Sequence, residues 1–493
     1  MALNKFIFSF ICFSLVSAYA LAFDIPTSDE ANVHLLNRIS FSVHKGDLEK
    51  LKNMGARAYI EEQLDPERMA LPSKIVDELN SLKTLDQHCG VLYVAFGPEK
   101  KDAAGQEKVY FEAAHARLLR AIYSPRQLYE IMVDFWFNHF NVSITKGGID
   151  KIWVGSYERD AIRPYALGNF KDLLLATAKH PAMLYYLDNW ENKAPQNNSK
   201  TNKPQKQGLN ENYAREVMEL HTLGVNGGYT QADVIALAHI LTGWGFSLKT
   251  TLVHLMPCTF YFDAKAHDFS SQRLLGQSYG GHGIADGESA LSYLAEHPST
   301  AKHISYQLAQ YFVADNPSPE LVDMLAKKFL QTKGDIKQVL KALFTSSYFW
   351  DPSIYGKKFK TPYQYIISCV RSTGISVSNY RPLTNALRQS GMTLYGCPTP
   401  DGYKNTQDAW LSSDALINRI SFVTALINGR LPLEANIKSD DMTYKPPQIK
   451  INTEVAEKMM DGIFSENTRQ VVDEAAPRLK SQLLLASPEF MRH

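Results

Sequence analysis

The sequence predicts a mainly α-helical globular protein with little or no β-structure. Helix N-cap signals are frequent, and the apolar residues between them follow helical spacing. Strict alternation of apolar and polar residues, the pattern typical of strands, is scarce. The composition, 45% apolar and 21% charged over 493 residues, is that of an ordinary globular protein long enough to build a core without staples.

Residues 1–22 are predicted to be a cleavable secretory signal peptide. Lys5 precedes a short apolar run, and small residues allow cleavage near Ala20 or Ala22. An uncleaved membrane anchor is the alternative, which the shortness of the run disfavours. No later segment is long and apolar enough to span a bilayer. We therefore expect a periplasmic or secreted protein with no membrane span after cleavage.

Charge and cysteine content narrow the expected partners. Without Lys5 of the leader, the 52 basic residues become 51 and balance the 51 acidic residues. A net charge near zero gives no support to nucleic-acid binding. The four cysteines beyond the leader are widely spaced, so that no disulfide, one or two are compatible with the sequence. These cysteines are Cys89, Cys258, Cys369 and Cys397.

Helix starts can be assigned from capping signals. Ser124, followed by a proline and a glutamine, is the predicted N-cap of a helix that runs into residues 134–142. Thr230, with an acid in the following turn, begins a helix that should end near Gly243. The same signals predict further helix starts at Ser318 and Asp335.

Polar segments divide the chain into predicted regions. The best strand candidate is residues 251–263, within the central region. The apolar-poor stretch 191–207 is expected to be either a lid or a plain loop. The predicted regions are the signal peptide (1–22), an N-terminal helical entry segment with a charged loop (23–108), a motif-rich central helical region (109–284), a C-terminal helical region (285–435), and a linker with a terminal helical tail (436–493).

Residues 134–142, DFWFNHFNV, combine four large aromatic side chains with an acid, two amides and an imidazole. Aromatic residues at this density belong in a core, and a core must supply hydrogen bonds to every polar group it takes in. On a helix Asp134, Asn138 and Asn141 share one face, while His139 points about 100° away from Asn138. The stretch is therefore predicted to be the buried end of a helix, meeting other polar segments across a shared interior.

Residues 210–224 form the densest polar segment and allow two interpretations. In the first, Glu211, Arg215 and Glu219 form a solvated ladder of ion pairs, with His221 in the core. In the second, Asn212, Glu216 and Glu219 line an interior cavity and bind an ion or activate a water. An undistorted helix places His221 about 200° from Glu219, so that one metal cannot bind both.

Standard motifs for metals, nucleotides and serine hydrolases are missing from the sequence. HExxH, CxxC and Walker-type loops are absent, as is the G-x-S-x-G elbow. Cofactor and metal content therefore stay open. Residues 394–403 are rich in Pro and Gly. This composition favours a structural turn, and the rim of a cleft is the less favoured interpretation. His303 is typical of an ordinary helix surface.

Several ordered blocks resemble the signature of a bacterial family, the domain of unknown function 1800. They include FWFNHFNV, YERDAIRP, NENYAREVMELHTLGVNGGYTQADV, LTGWGF and PDGY, within a resemblance that runs from about His34 to Phe490. Members of this family are usually exported and commonly encoded beside a secreted sulfatase-like protein. The resemblance implies export and a single-family architecture, and it implies no reaction.

The first functional hypothesis is an exported enzyme that performs acid–base or metal-assisted chemistry on an anionic substrate. A glutamate in an aromatic-walled pocket acts as acid or base, and Arg159 or Arg163 binds the anionic group. His139 orients a group or shuttles a proton. The candidate catalytic residues are His139, Glu158, Arg159, Arg163, Asn212, Arg215, Glu216, Glu219 and His221.

The second hypothesis is a non-catalytic helical scaffold or accessory protein. Its polar blocks are buried hydrogen-bond networks that specify one packing. The co-encoded, exported sulfatase-like protein that the family resemblance implies is its first candidate partner. A cleft that joins the candidate residues favours the enzyme, and their scattering through the interior favours the scaffold.

Overall fold

The computed structural model describes residues 23–44, 46–195, 208–247, 258–434 and 464–493. Over these residues the fold is mainly α-helical, which confirms the predicted class. The α-helices are α1 (Asp29–Ile39), α2 (Asp47–Met54), α3 (Ala56–Gln63), α4 (Ser73–Ser81), α5 (Cys89–Phe96), α6 (Ala103–Tyr123), α7 (Gln127–His139), α8 (Gly148–Tyr157), α9 (Phe170–Lys179), α10 (Pro181–Tyr186), α11 (Asn212–Glu216), α12 (Gln231–Ile240), α13 (Ile284–Ala295), α14 (Pro298–Phe312), α15 (Pro319–Gln331), α16 (Ile336–Phe344), α17 (Pro362–Thr373), α18 (Arg381–Gln389), α19 (Gln407–Trp410), α20 (Ser413–Ile427), α21 (Glu466–Glu474) and α22 (Pro477–Leu485).

Two small antiparallel sheets are the β-structure of the described residues, each with two short strands. In the first sheet Gly245 lies opposite Tyr261. The second strand of this sheet falls within the predicted strand 251–263, of which residues 251–257 lie outside the described residues. The paired strands are β1 (Trp244–Phe246) with β2 (Phe260–Phe262), and β3 (Gln272–Leu274) with β4 (Gln277–Tyr279).

Three predicted helix starts are confirmed by side-chain caps. The Thr230 hydroxyl accepts a hydrogen bond from the Asp233 amide (3.3 Å), and the Asp233 carboxylate accepts one from the Thr230 amide (2.9 Å). This reciprocal pair is a capping box, and α12 ends just before Gly243 as expected. Ser318 and Asp335 cap α15 and α16 in the predicted way.

The predicted cap at Ser124 is wrong, because α7 begins only at Gln127. The Ser124 hydroxyl accepts from the Arg126 amide (3.1 Å) within the turn before the helix. The Gln127 side chain donates to the carbonyls of Ala121 and Ser124 (3.1 and 2.7 Å) and accepts from the Phe41 amide (3.2 Å). Gln127 therefore ties the end of α6 to α1 rather than closing a capping box.

Buried apolar residues from Ala31 to Met491 form one contiguous core. The predicted entry, central and C-terminal regions all contribute to it, and their boundaries stay a prediction. Helix α7 lies inside this core, with Phe135, Trp136 and Phe137 buried. The indole N–H of Trp136 donates to the Ala166 carbonyl (3.0 Å), so that the polar edge of the ring is satisfied.

One disulfide joins Cys89 of α5 to Cys258, which precedes β2, across 169 residues of sequence. This decides among the alternatives that the cysteine spacing left open. Cys369 and Cys397, the other cysteines of the described residues, are buried and unpaired. The disulfide fixes α5 beside the first sheet.

Three predictions fall wholly or partly outside the described residues: the signal peptide (1–22), most of the lid or loop (196–207), and the linker up to residue 463. The terminal tail is helical, since it forms α21 and α22. Each helix that the structure describes is too short or too polar to cross a bilayer.

Candidate functional site

A cleft with a cavity of about 400 Å³ lies beside the C-terminal half of α7. Its other walls are the helical segment of residues 212–221, α14, the start of α17, and residues 392–406, which we call the cleft loop. This volume is within the range of small-ligand sites. The lining residues are Asp134, Phe135, Asn138, His139, Glu219, Leu220, Val225, His303, Gln307, Gln310, Tyr311, Thr361, Met392, Asp401, Tyr403, Lys404, Asn405 and Thr406.

The amides of the DFWFNHFNV stretch hold the cleft loop in place. The Asn138 side chain donates to the Tyr403 carbonyl (2.8 Å) and accepts from the Tyr403 amide (2.7 Å). Asn141 donates to the carbonyls of Cys397 and Thr399 (3.0 and 2.8 Å). These amides act like a neighbouring strand, because they satisfy backbone groups of a loop that has no partner strand.

Gly402 makes the close approach of loop and helix possible. Its φ of 68° lies in the left-handed region, and a Cβ atom there would come within 2.3 Å of the Asn138 carbonyl oxygen. Both the backbone conformation and the space therefore require glycine at this position.

The helical segment of residues 212–221 changes from α-helical to π-helical geometry along its length. Helix α11 ends at Glu216, and Val217–His221 continues as a π-helical turn. Such turns are rare and often occur at functional sites. Glu219 lines the cleft, whereas His221 is buried behind it, so that the two side chains remain on different sides of the segment.

Two imidazoles cap the carbonyls of this turn. The Nε2 atom of His139 lies 3.1 Å from the His221 carbonyl oxygen, and that of His303 lies 3.1 Å from the Leu220 carbonyl oxygen. A carbonyl only accepts, so His139 carries its proton on Nε2. Burial and the neighbouring His303 lower the pKa of His139 to about 3. His139 is therefore neutral at physiological pH and suited to orienting groups rather than carrying a proton.

The other two histidines of this wall are also neutral. Burial, then the neighbouring His139 and His303, lower the pKa of His221 well below its ordinary value. Burial lowers the pKa of His303 as well, while its bond to the Leu220 carbonyl opposes this. The inner wall of the cleft thus offers two uncharged imidazoles, those of His139 and His303, with the uncharged His221 behind them.

Two unpaired carboxyl groups lie on the outer side of the same segment. Glu216 is half-buried and lies outside the cleft lining, and its pKa is raised by burial, by the charge of Glu219 and, more weakly, by Asp401. Arg215 opposes this rise, but its guanidinium is hydrogen-bonded to Glu211 and Gln231 (both 2.9 Å). Glu219 has one weak contact, from the Tyr229 hydroxyl at 3.5 Å. Glu216 is therefore biased towards its protonated form.

The cleft loop contributes Asp401, whose pKa is shifted in the direction opposite to that of Glu216. Burial alone would raise the pKa of Asp401, but hydrogen bonds from Lys404 and Thr399 together lower it below the ordinary value. The Lys404 ammonium lies 2.7 Å from the Asp401 carboxylate. Asp401 is thus held ionised on one wall while Glu216 is held towards its acid form outside the lining.

A buried ion network lies behind the cleft floor. Arg117 binds Asp134 and Glu158, and Arg163 binds Glu158 (3.1 Å) and Glu130 (2.7 Å). We call these five residues the arginine–carboxylate network. Burial would raise the pKa of Glu158, but Arg117 and Arg163 lower it below the ordinary value. The carboxylate of Glu158 is consequently ionised, and the guanidinium groups of Arg117 and Arg163 balance its charge.

Aromatic rings surround Arg117. Its guanidinium carbon lies 5.0 Å from the ring centre of Phe137, 5.5 Å from that of Tyr363 and 4.9 Å from that of Tyr395. The Tyr395 hydroxyl donates to Glu158 (2.7 Å), which attaches the cleft loop to the network as well. Arg117 therefore lies in a dry setting that strengthens its ion pairs.

The structure brings together some of the predicted site residues and separates others. His139 and Glu219 line the cleft, Glu216 lies outside the lining within electrostatic reach of Glu219, and His221 lies behind His139. Glu158 and Arg163 belong to the arginine–carboxylate network. The remaining predicted residues bond elsewhere: Asn212 to the Leu187 carbonyl, Arg215 to Glu211, and Arg159 to Asp160 and the carbonyls of Leu85 and Gln87.

The predicted anion-binding arginines lie away from the cleft. Arg159 and Arg163 both border a recess of about 30 Å³ together with Arg120. Their guanidinium groups bind different protein partners, because the π-helical turn Glu158–Ile162 between them alters the helical register. Neither of them lines the cleft.

Asp401, Lys404 and His303 were not among the predicted site residues. The Pro- and Gly-rich composition of residues 394–403 was the sequence signal that could have located Asp401, since these residues do rim a cleft. His303 is half-buried in the cleft wall rather than on an ordinary helix surface. No group of three or more His, Cys, Asp or Glu side chains within the described ranges is arranged to hold a metal ion.

Sequence comparison places the chain in a family. The model of the family described as "Protein of unknown function (DUF1800)" matches residues 34–492. The chain belongs to this family. The match covers every wall of the cleft and the whole arginine–carboxylate network. Neither a curated protein nor a solved structure matches the chain.

Replacing Arg117 by Met is expected to lower the free energy of unfolding by about 3–5 kcal/mol, because Asp134 and Glu158 then lose a buried cation. Urea denaturation measures this change. The matched control is Lys302→Met, which breaks an exposed pair with Asp323 and should cost below about 1 kcal/mol. Equal losses in both variants would contradict the buried network.

Replacing Glu219 by Gln is expected to lower the pKa of Glu216 towards the ordinary glutamate value, since a neighbouring negative charge is removed. Carboxyl-carbon NMR titration of the protein labelled at glutamate measures this pKa, with the signal assigned from Glu216→Gln. Glu320→Gln, a distant exposed carboxyl on α15, should leave it unchanged. A Glu216 pKa at or below the ordinary value in the wild type would refute the assignment.

Proposed function

We propose that this protein is an exported enzyme that performs acid–base chemistry in the cleft. Glu216 is the proton donor, and Asp401 is the ionised partner that accepts a proton. Glu219 acts through Glu216, since its charge raises the pKa of Glu216. His139 and His303 position the turn that carries Glu219 and directly follows Glu216.

One observation carries this proposal: Asp401, which lines the cleft, and Glu216, whose pKa the Asp401 and Glu219 carboxylates of the lining help to raise, have opposite ionisation tendencies. Groups whose surroundings push their pKa values apart are typical of acid–base pairs in enzymes. The raised pKa of Glu216 stems from burial and from Glu219, and the lowered pKa of Asp401 from Lys404 and Thr399.

Several polar signature residues favour the alternative, an accessory role. Asn138, Asn141, Glu158 and Arg163 form hydrogen bonds within the protein, as the scaffold hypothesis expects of buried polar blocks. The co-exported sulfatase-like partner of that hypothesis rests on the family resemblance. We favour the enzyme because Glu216 has no such internal partner among the described residues and Glu219 has only the weak contact from Tyr229.

Export is part of the proposal, and the disulfide supports it. Disulfides form and persist in oxidising compartments, and Cys89–Cys258 joins distant parts of the fold. Together with the predicted leader, this points to the periplasm or the exterior.

The export proposal predicts the mass and thiol content of protein recovered from the periplasm. Mass spectrometry should show a chain that begins after Ala20 or Ala22. Thiol labelling under denaturing conditions should modify Cys369 and Cys397 before reduction, and Cys89 and Cys258 only after it. Retention of the leader, or labelling of Cys89 before reduction, would argue against export.

Glu216→Gln is expected to reduce turnover by about 10²–10⁴-fold while leaving the melting temperature unchanged or higher. The assay compares wild type, Glu216→Gln, Asp401→Asn and the control Glu320→Gln on chromogenic glycosides, esters, phosphates and sulfates. Wild-type turnover should fall as pH rises through the pKa of Glu216 and as pH falls through that of Asp401, so the optimum lies between these two pKa values. Activity that survives in both cleft variants, or a Glu216→Gln protein that fails to fold, would reject the proposal.

A further inference from the structure

The charge of the cleft lining restricts the ligands that it can bind. Lys404 is the one ammonium or guanidinium group of the described lining, and it is paired with Asp401 at 2.7 Å. The lining imidazoles are held neutral by burial. Glu219 remains as an unpaired carboxylate with Glu216 beside it. A sulfated, phosphorylated or uronate ligand would therefore meet negative charge without a free cation to bind it.

The uncharged part of the lining combines rings with hydrogen-bonding groups. Phe135 and Tyr311 pack edge to face with their ring centres 5.4 Å apart, and both border the cavity. Gln307, Gln310 and Asn405 add amide groups. The buried Oδ1 atom of Asn405 has no hydrogen-bond partner among the described residues, so a donor is missing at this point.

This combination matches the surface of a sugar. A pyranose ring presents apolar C–H faces to aromatic rings and hydroxyl groups, each both donor and acceptor, to amides and carboxylates. A cavity of about 400 Å³ accommodates a ligand of this size. Glycosidic bonds are commonly hydrolysed by two carboxyl groups, one protonated and one ionised, on either side of the bond.

We infer that the cleft binds an uncharged carbohydrate chain, with a glycosidic bond placed between Glu216 and Asp401. This inference rests on the proposed acid–base function and names its substrate class. It replaces the anionic substrate that the arginine pair suggested, because Arg159 and Arg163 bind protein groups away from the cleft.

The reaction needs water as its co-reactant. Glu216 donates its proton to the glycosidic oxygen as the bond between that oxygen and the anomeric carbon breaks. A water molecule adds to the anomeric carbon and loses a proton to the Asp401 carboxylate. The products are a sugar with a new hydroxyl group and a sugar with a hemiacetal. Glu216 then regains a proton from solvent, and Asp401 releases one.

The test is calorimetric titration of the mature protein carrying Glu216→Gln, which binds without hydrolysis. The neutral probes are hexamers of cellulose, maltodextrin and N-acetylglucosamine. The charged probes are a heparin-derived hexasaccharide, hexagalacturonate and the hexamer of glucosamine. We expect at least one neutral hexamer to bind, and the anionic probes to bind about tenfold more weakly or not at all.

Gln307→Ala, added to the same background, should weaken binding of the neutral hexamer, whereas the matched control Gln331→Ala on the exposed end of α15 should not. Preference for the heparin or galacturonate probe overturns the inference, and so does preference for glucosamine, which would indicate a cation site. Absence of neutral binding overturns it too. If the wild type instead turns over an ester, phosphate or sulfate in a Glu216-dependent way, the proposed acid–base function stands and the carbohydrate substrate is wrong. If a neutral hexamer binds but the wild type does not hydrolyse it, the carbohydrate site stands and the proposed catalysis is wrong.

Discussion

The buried ion pairs of Arg117 are the interaction on which the rest of the site depends. Arg117 comes from α6, Asp134 from α7 and Glu158 from the π-helical turn after α8, so that one guanidinium joins three helical segments. Desolvating these charges is costly, and their geometry compensates only when each charge is paired. Arg163 and Glu130 complete the pairing, and the aromatic rings around Arg117 exclude water from it. The core can therefore hold acidic side chains directly beneath a cleft.

This arrangement determines the position of the cleft loop. Tyr395 is bonded to Glu158 of the network. Asn138 of α7 and Asn141, just beyond its end, bond the loop backbone at Tyr403, Cys397 and Thr399. The loop has no strand partner, so these side chains supply the hydrogen bonds that its backbone needs. Asp401 follows Thr399 closely along the chain and is thereby held at the cleft. The polar residues of DFWFNHFNV are thus well satisfied, and their contribution to the site is to place another residue.

The opposite wall depends on the π-helical turn Val217–His221. A π turn leaves carbonyls that an α-helix would have bonded internally, and here His139 and His303 occupy two of them. Because both imidazoles are buried, they bond as neutral groups and add no positive charge to the cleft. Glu219 consequently contributes a carboxylate to a lining whose histidines carry no charge. His139 and His303 thus line the cleft without making it cationic.

The sequence by itself determined the helical class, the caps at Thr230, Ser318 and Asp335, and the buried character of DFWFNHFNV, because these depend on neighbours within a few residues. It also marked, through spacing, the polar helix face that carries Glu216 and Glu219, of which Glu219 lines the cleft. It missed Asp401, and it assigned Arg159 and Arg163 to one ligand, because their partners lie far away in the chain. Tyr403 meets Asn138 across 265 residues, and Tyr395 meets Glu158 across 237. Only the tertiary packing decided these contacts, since the energy of a buried charge or amide depends on the groups that the whole fold brings to it.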